Sequence, residues 1–222
     1  MAPRSASILN IGQENNHHDC RTQHCPTPKL YYLVGPSGSG KDSLINALKQ
    51  QTDINARLAF ARRYITREQG VGEEGHIHLT PQEFTQRLEQ GFFAMYWQAN
   101  DCMYGISQQS INLLQQGKSV LVNGSRAYLP TVQAHYGDKL QVIALSVQQD
   151  ILAQRLTQRA RECQAKIAAR LERNHEFESR LPDGSWLIDN SGDFAQAVHQ
   201  LRQYLFTSLP SSAYKSRAEE IK

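Results

Sequence analysis

The sequence predicts an α/β protein: a three-layer sandwich with a mainly parallel central sheet. Three observations predict it. Short apolar runs, KLYYLV (29–34), SVLVNG (119–124) and KLQVIALSV (139–147), recur along the chain. Between them stand segments with the 3.6-residue spacing of amphipathic helices. A glycine-rich stretch, GPSGSGKDS (35–43), joins the first run directly to the first helical segment. Strands alternating with helices build parallel sheets, because a parallel pair needs a crossover between its strands. In such sheets ligands gather at the carboxyl ends of the strands, where the glycine-rich loop and Asn123 both fall.

Taken in order, DSLINALKQ (42–50) sets Leu44, Ile45 and Leu48 on one helical face. In TPQEFTQRLEQG (80–91), Thr80 is the expected N-cap, Pro81 a first-turn residue and Gly91 the stop. FFAMYWQ (92–98) reads as extended, and SQQSINLLQQG (107–117) and residues 126–135 as helical. From Gln148 to about Glu178 the pattern is helical and charged. WLIDNSG (186–192) is a last short strand and turn before the helix DFAQAVHQLRQYLF (193–206). Residues 1–28 are polar and lack apolar periodicity, so a disordered leader is expected, and residues 209–222 read as a flexible tail. One domain, 29–208, lies between them.

Composition narrows the partners. A chain of 222 residues with 40% hydrophobic content suits one sizeable core. A net charge of +3 is too slight to imply nucleic acid. No apolar run is long enough for a bilayer, and the N-terminus lacks the features of a secretory signal, so a cytoplasmic location is expected. Cys20, Cys25, Cys102 and Cys163 form no disulfide framework. His17, His18, Cys20, His24 and Cys25 match no standard zinc spacing. Oligomeric state is not legible; a homodimer stays open.

The loop Gly35-Pro36-Ser37-Gly38-Ser39-Gly40-Lys41 carries the chemistry. Glycines let successive backbone N–H groups converge on phosphate oxygens, and the following helix offers its positive end. Lys41 adds a point charge. The usual pattern ends in Ser or Thr after the lysine. Here Asp42 takes that position, and the hydroxyl comes one residue later, at Ser43. Two arginine groups, Arg62, Arg63 and Arg67, and Arg155, Arg159, Arg161, Arg170 and Arg173, suit phosphate oxygens, with solvated helix faces as the alternative.

Together with ARRYITR (61–67), EEGHIHLT (73–80), FFAMYWQAN (92–100), YGI (104–106), VLVNGSR (120–126) and RLTQRARE (155–162), the loop resembles the guanylate-kinase-like P-loop kinases over residues 29–206. Within that group the sequence is most similar to the ribose 1,5-bisphosphate phosphokinases of bacterial phosphonate breakdown. The resemblance implies ATP and Mg²⁺ as cofactors, ribose 1,5-bisphosphate as acceptor and 5-phosphoribosyl 1-diphosphate as product. It also implies an acceptor region at about 60–106 and a helical lid at about 150–175. Guanylate kinases read guanine with a Glu before a Trp; here Tyr96 precedes Trp97, and Arg63 stands where they have Ser. A base-reading carboxylate is absent and a cation is added, which suits an acceptor phosphorylated at both ends.

On this resemblance Lys41, Arg159 and Arg170 are the expected catalytic residues. The loop through Ser43, with Arg155 and Asn190, would bind nucleotide; Ser43 would face the α-phosphate. Arg63, Arg67, Glu74, His76, Tyr104, Asn123 and Arg126 would bind the acceptor, with Asn100 a weaker candidate. Surface-loop roles are the alternative for Glu74 and Asn100. P-loop proteins often hold Mg²⁺ with an Asp at the end of the facing strand, and that slot is Asn123. Asp42 is therefore the expected metal-side carboxylate, with helix capping as the competing reading. A nucleoside monophosphate kinase and a non-catalytic interaction module remain as alternative functions.

Overall fold

The computed structural model describes residues 27–67, 75–158 and 181–208. The leader through residue 26, the tail from 209, and Glu74, Arg159, Arg161, Arg170 and Arg173 lie outside them.

A five-stranded parallel sheet forms the frame. Its strands are β1 (Leu30–Val34), β2 (Leu58–Phe60), β7 (Ser119–Asn123), β8 (Leu140–Ser146) and β9 (Trp186–Asp189), in the order β2-β7-β1-β8-β9. Central β1 is buried on both faces, which is why it reads as a continuous apolar run. Its residues divide the core by their two-residue alternation. Tyr31 and Leu33 pack with α1 (Lys41–Lys49), α2 (Thr52–Asn55) and the final helix α7 (Phe194–Ser208). Leu30, Tyr32 and Val34 pack on the opposite face with α4 (Gln108–Asn112) and α5 (Leu129–Tyr136).

A second sheet, β3 (Arg63–Ile65), β4 (His76–His78), β5 (Phe93–Ala99) and β6 (Cys102–Ser107), is ordered β4-β3-β6-β5 and is mixed. Met95 and Ile106 from this sheet join the β1 core. The other face packs Phe84 of α3 (Pro81–Glu89) on Phe93, rings stacked at 4.5 Å. β2, β3 and β4 have three residues each, too few to show alternation in the sequence.

Local signals explain the helix ends. Thr80 caps α3 in a reciprocal box: its hydroxyl accepts from the Glu83 N–H at 3.2 Å, and its own N–H donates to the Glu83 carboxylate at 2.7 Å. The Thr80 N–H and, after it, the Thr80 hydroxyl both donate to the Glu83 carboxylate and hold that carboxyl below its ordinary range. Pro81 follows as the first helical residue, and Gly91 turns the chain out at φ +68°. Thr80→Ala should cost about 1 kcal/mol, lowering Tm by about 2–4 °C in thermal melts with turnover unchanged. The expected helix over 107–117 is shorter. Ser107 caps it, but Leu114, Gln115, Gln116 and Gly117 bond three residues back, so α4 tightens into turns after Asn112.

Candidate active site

Residues 35–41 connect β1 to α1 at the carboxyl edge of the parallel sheet. Gly40 holds φ +94°, and a Cβ there would stand 2.6 Å from the side-chain nitrogen of Asn190. Glycine is thus required by both backbone and space. Asn190, buried after β9, donates through Nδ2 to the Ser39 carbonyl at 2.7 Å, and its N–H bonds the Ser146 carbonyl. The amide braces the loop from beneath. Lys41 Nζ lies along the inside of the loop, 2.8 Å from the Gly35 carbonyl oxygen and 2.7 Å from that of Pro36.

Asp42 follows in the first turn of α1. Gly40 is the N-cap, which leaves Asp42 as the acidic residue of that turn. One Asp42 oxygen, Oδ1, accepts from Arg63 at 2.8 Å and from Asn123 Nδ2 at 2.7 Å. Three elements meet at that atom: α1 after the loop, β3 of the second sheet, and the end of β7. The Asp42 side chain is 70% exposed and that of Arg63 only 16%. The guanidinium is therefore largely covered while the carboxylate faces water.

Among the described residues, no group of three or more His, Cys, Asp or Glu side chains could hold a metal ion. The donor chemistry near the loop is one exposed carboxylate and a neutral amide. That set fits Mg²⁺, which keeps several waters and takes one or two carboxylates together with substrate phosphates.

On the second sheet, Tyr104 lies opposite Trp97, their rings parallel within 2° at 5.6 Å. Tyr128, just before α5, stacks on Trp97 at 5.7 Å, and the Tyr96 backbone hydrogen-bonds to its hydroxyl. Burial raises the Tyr128 phenol above its ordinary range. Arg67 is exposed, next to Thr66, whose hydroxyl accepts from the Met103 N–H at 2.9 Å. His76 is buried, and its Nε2 lies 3.3 Å from the Arg67 carbonyl oxygen. With the proton on Nε2 it donates there, bracing the strand end that carries Arg67. Asn100 and Asp101 both adopt left-handed backbone between the paired Ala99 and Cys102. A two-residue hairpin turn favours Asn and Asp there, which accounts for Asn100 without any ligand.

Arg155 sits on α6 (Gln149–Gln158), whose Leu152 and Leu156 come against Gly38 of the loop. Ser43 is an exposed residue of the first turn of α1. Arg63 and Asn123 thus meet at Asp42 beside the loop, while Arg126 follows β7 and Arg155 lies on α6. Glu74, Arg159 and Arg170 lie outside the described residues.

The guanylate kinase family model matches residues 27–208. The chain belongs to the guanylate kinase family. Within it, the chain is 47% identical to the ribose 1,5-bisphosphate phosphokinase PhnN of Yersinia pestis, over 83% of this chain and 94% of that protein. The Pectobacterium atrosepticum protein of the same name is 45% identical over 80% of this chain and 93% of its own. A solved guanylate kinase from Anaplasma phagocytophilum superposes with a TM-score of 0.65 at 15% identity, over 84% of this chain and 89% of that one. That likeness extends the guanylate kinase family assignment to the fold. This family member is a kinase and a phosphotransferase, and no helix among its described residues is long and apolar enough to cross a membrane.

Motif reading missed two side chains near the loop and the second sheet: Tyr128 as the stacking partner of Trp97, and Tyr32, a buried residue of β1; Asn190, expected to bind nucleotide, bonds the Ser39 carbonyl of the loop. Tyr32 left one signal, a second tyrosine within a run that is otherwise aliphatic.

Proposed function

We propose that the chain transfers the terminal phosphoryl group of ATP to ribose 1,5-bisphosphate, giving 5-phosphoribosyl 1-diphosphate. The observation that carries this reading is 47% identity, across 94% of its length, to a ribose 1,5-bisphosphate phosphokinase. The geometry supports it, because Arg63 reaches from the acceptor sheet to the phosphate loop.

An anionic oxygen of the acceptor's 1-phosphate attacks the γ-phosphorus; the bond to the β,γ-bridging oxygen breaks and ADP leaves. The attacking oxygen is already deprotonated at neutral pH, so no general base is needed. The chain's residues position and neutralise charge. Loop N–H groups and Lys41 hold the nucleotide phosphates, and Arg155, with Arg159 and Arg170, adds cations from the lid. Arg63, Arg67 and Arg126 hold the acceptor phosphates; Tyr104 and Asn123 line its site. Asp42 would hold Mg²⁺, whose charge screens the phosphate oxygens when bound. Arg63 uses only part of its donor fork on Asp42, so the remaining N–H groups can reach an acceptor phosphate.

Purified protein with ATP, Mg²⁺ and either ribose 1,5-bisphosphate or a nucleoside monophosphate panel tests the assignment. Transfer to the sugar is expected. Transfer to GMP and not to the sugar would contradict it, and partner binding with no transfer at all would favour an interaction module.

Asp42→Asn separates the metal role from a structural one. Mg²⁺-dependent kcat should fall about 10–100-fold, while Tm moves by about 2 °C or less, since exposed ion pairs contribute little. Losses of turnover and stability in proportion would make Asp42 a helix-end residue only.

A further inference from the structure

A central strand buried on both faces is ordinarily aliphatic, because each buried hydroxyl must find a partner or bear a desolvation cost. β1 breaks this expectation twice in succession. Tyr31 and Tyr32 are both fully buried, on opposite faces. Their hydroxyls fare differently. That of Tyr31 has no hydrogen-bond partner among the described residues, and its ring lies beside Trp186 at 5.8 Å. That of Tyr32 makes two bonds to one residue, accepting from the Ser125 N–H at 2.9 Å and donating to the Ser125 carbonyl at 3.2 Å.

The ring matters as much as the hydroxyl. A Cβ at Gly124 would overlap the Tyr32 ring, so the backbone after β7 lies directly on it. The Gly124 N–H also donates to the Leu33 carbonyl at 2.8 Å. Burial drives the Tyr32 phenol far above its ordinary range, so it remains a neutral hydroxyl able to donate and accept at once.

The anchored residue stands between two site residues. Asn123 precedes Gly124 and donates to Asp42; Arg126 follows Ser125. At the far end of this short segment, Tyr128 is clamped by Trp97 and the Tyr96 backbone. Residues 123–128 therefore span from the parallel sheet to the acceptor sheet, fixed at both ends. We propose that Tyr32 is a positioning residue for the acceptor: through the Ser125 peptide it sets Asn123 and Arg126 at the cleft. The chemical identity of that acceptor, an anionic phosphorylated sugar, rests on the function proposed above.

Tyr32→Phe keeps the ring and removes only the two hydroxyl bonds. In steady-state kinetics of the full chain, KM for ribose 1,5-bisphosphate should rise about tenfold while KM for ATP stays within about twofold. Tyr31→Phe, on the same strand, should change neither. Amide hydrogen exchange gives a readout independent of any substrate. In Tyr32→Phe the Gly124–Arg126 amides should exchange at least about tenfold faster, with those of Val120–Val122 unchanged. Unaltered exchange at Gly124–Arg126 would overturn the anchoring. Faster exchange with both KM values at wild-type levels would reduce Tyr32 to a packing residue. Wild-type protein inert toward the sugar would instead strike the proposed function, leaving the exchange result to decide the anchor alone.

Discussion

Lys41→Met should lower kcat/KM for phosphoryl transfer by about 10²–10³-fold, the range seen when one preorganised charge-stabilising donor is removed from an active site. The side chain is placed for that role. Its ammonium rests on the Gly35 and Pro36 carbonyls of the loop, at 2.8 and 2.7 Å. A strongly hydrated point charge held there meets the phosphate oxygens on which charge develops in the transition state. Stability should hardly move. Lys41 is partly exposed, the two carbonyls can bond water, and methionine preserves the alkyl stem and the helical propensity. Initial rates with a coupled ADP assay, set beside thermal melts, check this. Near-normal kcat/KM with a clearly lowered Tm would leave Lys41 as a strut of the loop and nothing more.

Arg63→Met should act on the other substrate. KM for ribose 1,5-bisphosphate is expected to rise about 10–100-fold, with KM for ATP within about twofold, because charge-assisted hydrogen bonds to a phosphate contribute about 1.5–3 kcal/mol. Folding should be little affected, since the Asp42 partner is 70% exposed and can hydrate once the guanidinium is gone. Arg63→Lys sharpens the result. It retains the charge and loses the planar fork, so affinity should recover only in part. Full recovery would show that charge alone matters at this position; no KM change in either variant would remove Arg63 from the acceptor site.

Much of the frame was legible because its signals are local. The phosphate loop is contiguous, Thr80 and Glu83 sit three residues apart, and β1, β7 and β8 are long enough to show as apolar runs. Of the second sheet, β5 was legible as the extended run FFAMYWQ (92–98), and the rest only as motifs. Three of the strands in the two sheets have three residues each, and a two-residue alternation cannot be read from so few. The convergence on Asp42 joins residues 21 and 81 positions away, a separation no spacing rule spans. The pairing of Asp42 with Asn123 was anticipated from charge balance, and the structure sets the two in direct contact, with Arg63 as a third member. His76 and Asn190 are expected to bind ligands; both are buried, and each bonds a backbone carbonyl, of Arg67 and of Ser39. A polar side chain under a site and one within it read alike in sequence, because both need a hydrogen-bond partner.

In the proposed reaction the phosphoryl group goes to a phosphate on a sugar that bears no base. Phosphorus NMR of the protein with ATP, Mg²⁺ and ribose 1,5-bisphosphate follows that transfer atom by atom. The 1-phosphate resonance should be replaced by a pair of mutually coupled diphosphate signals as ADP accumulates, while the 5-phosphate signal persists. An unchanged sugar spectrum beside efficient conversion of GMP to GDP in a parallel tube would contradict it.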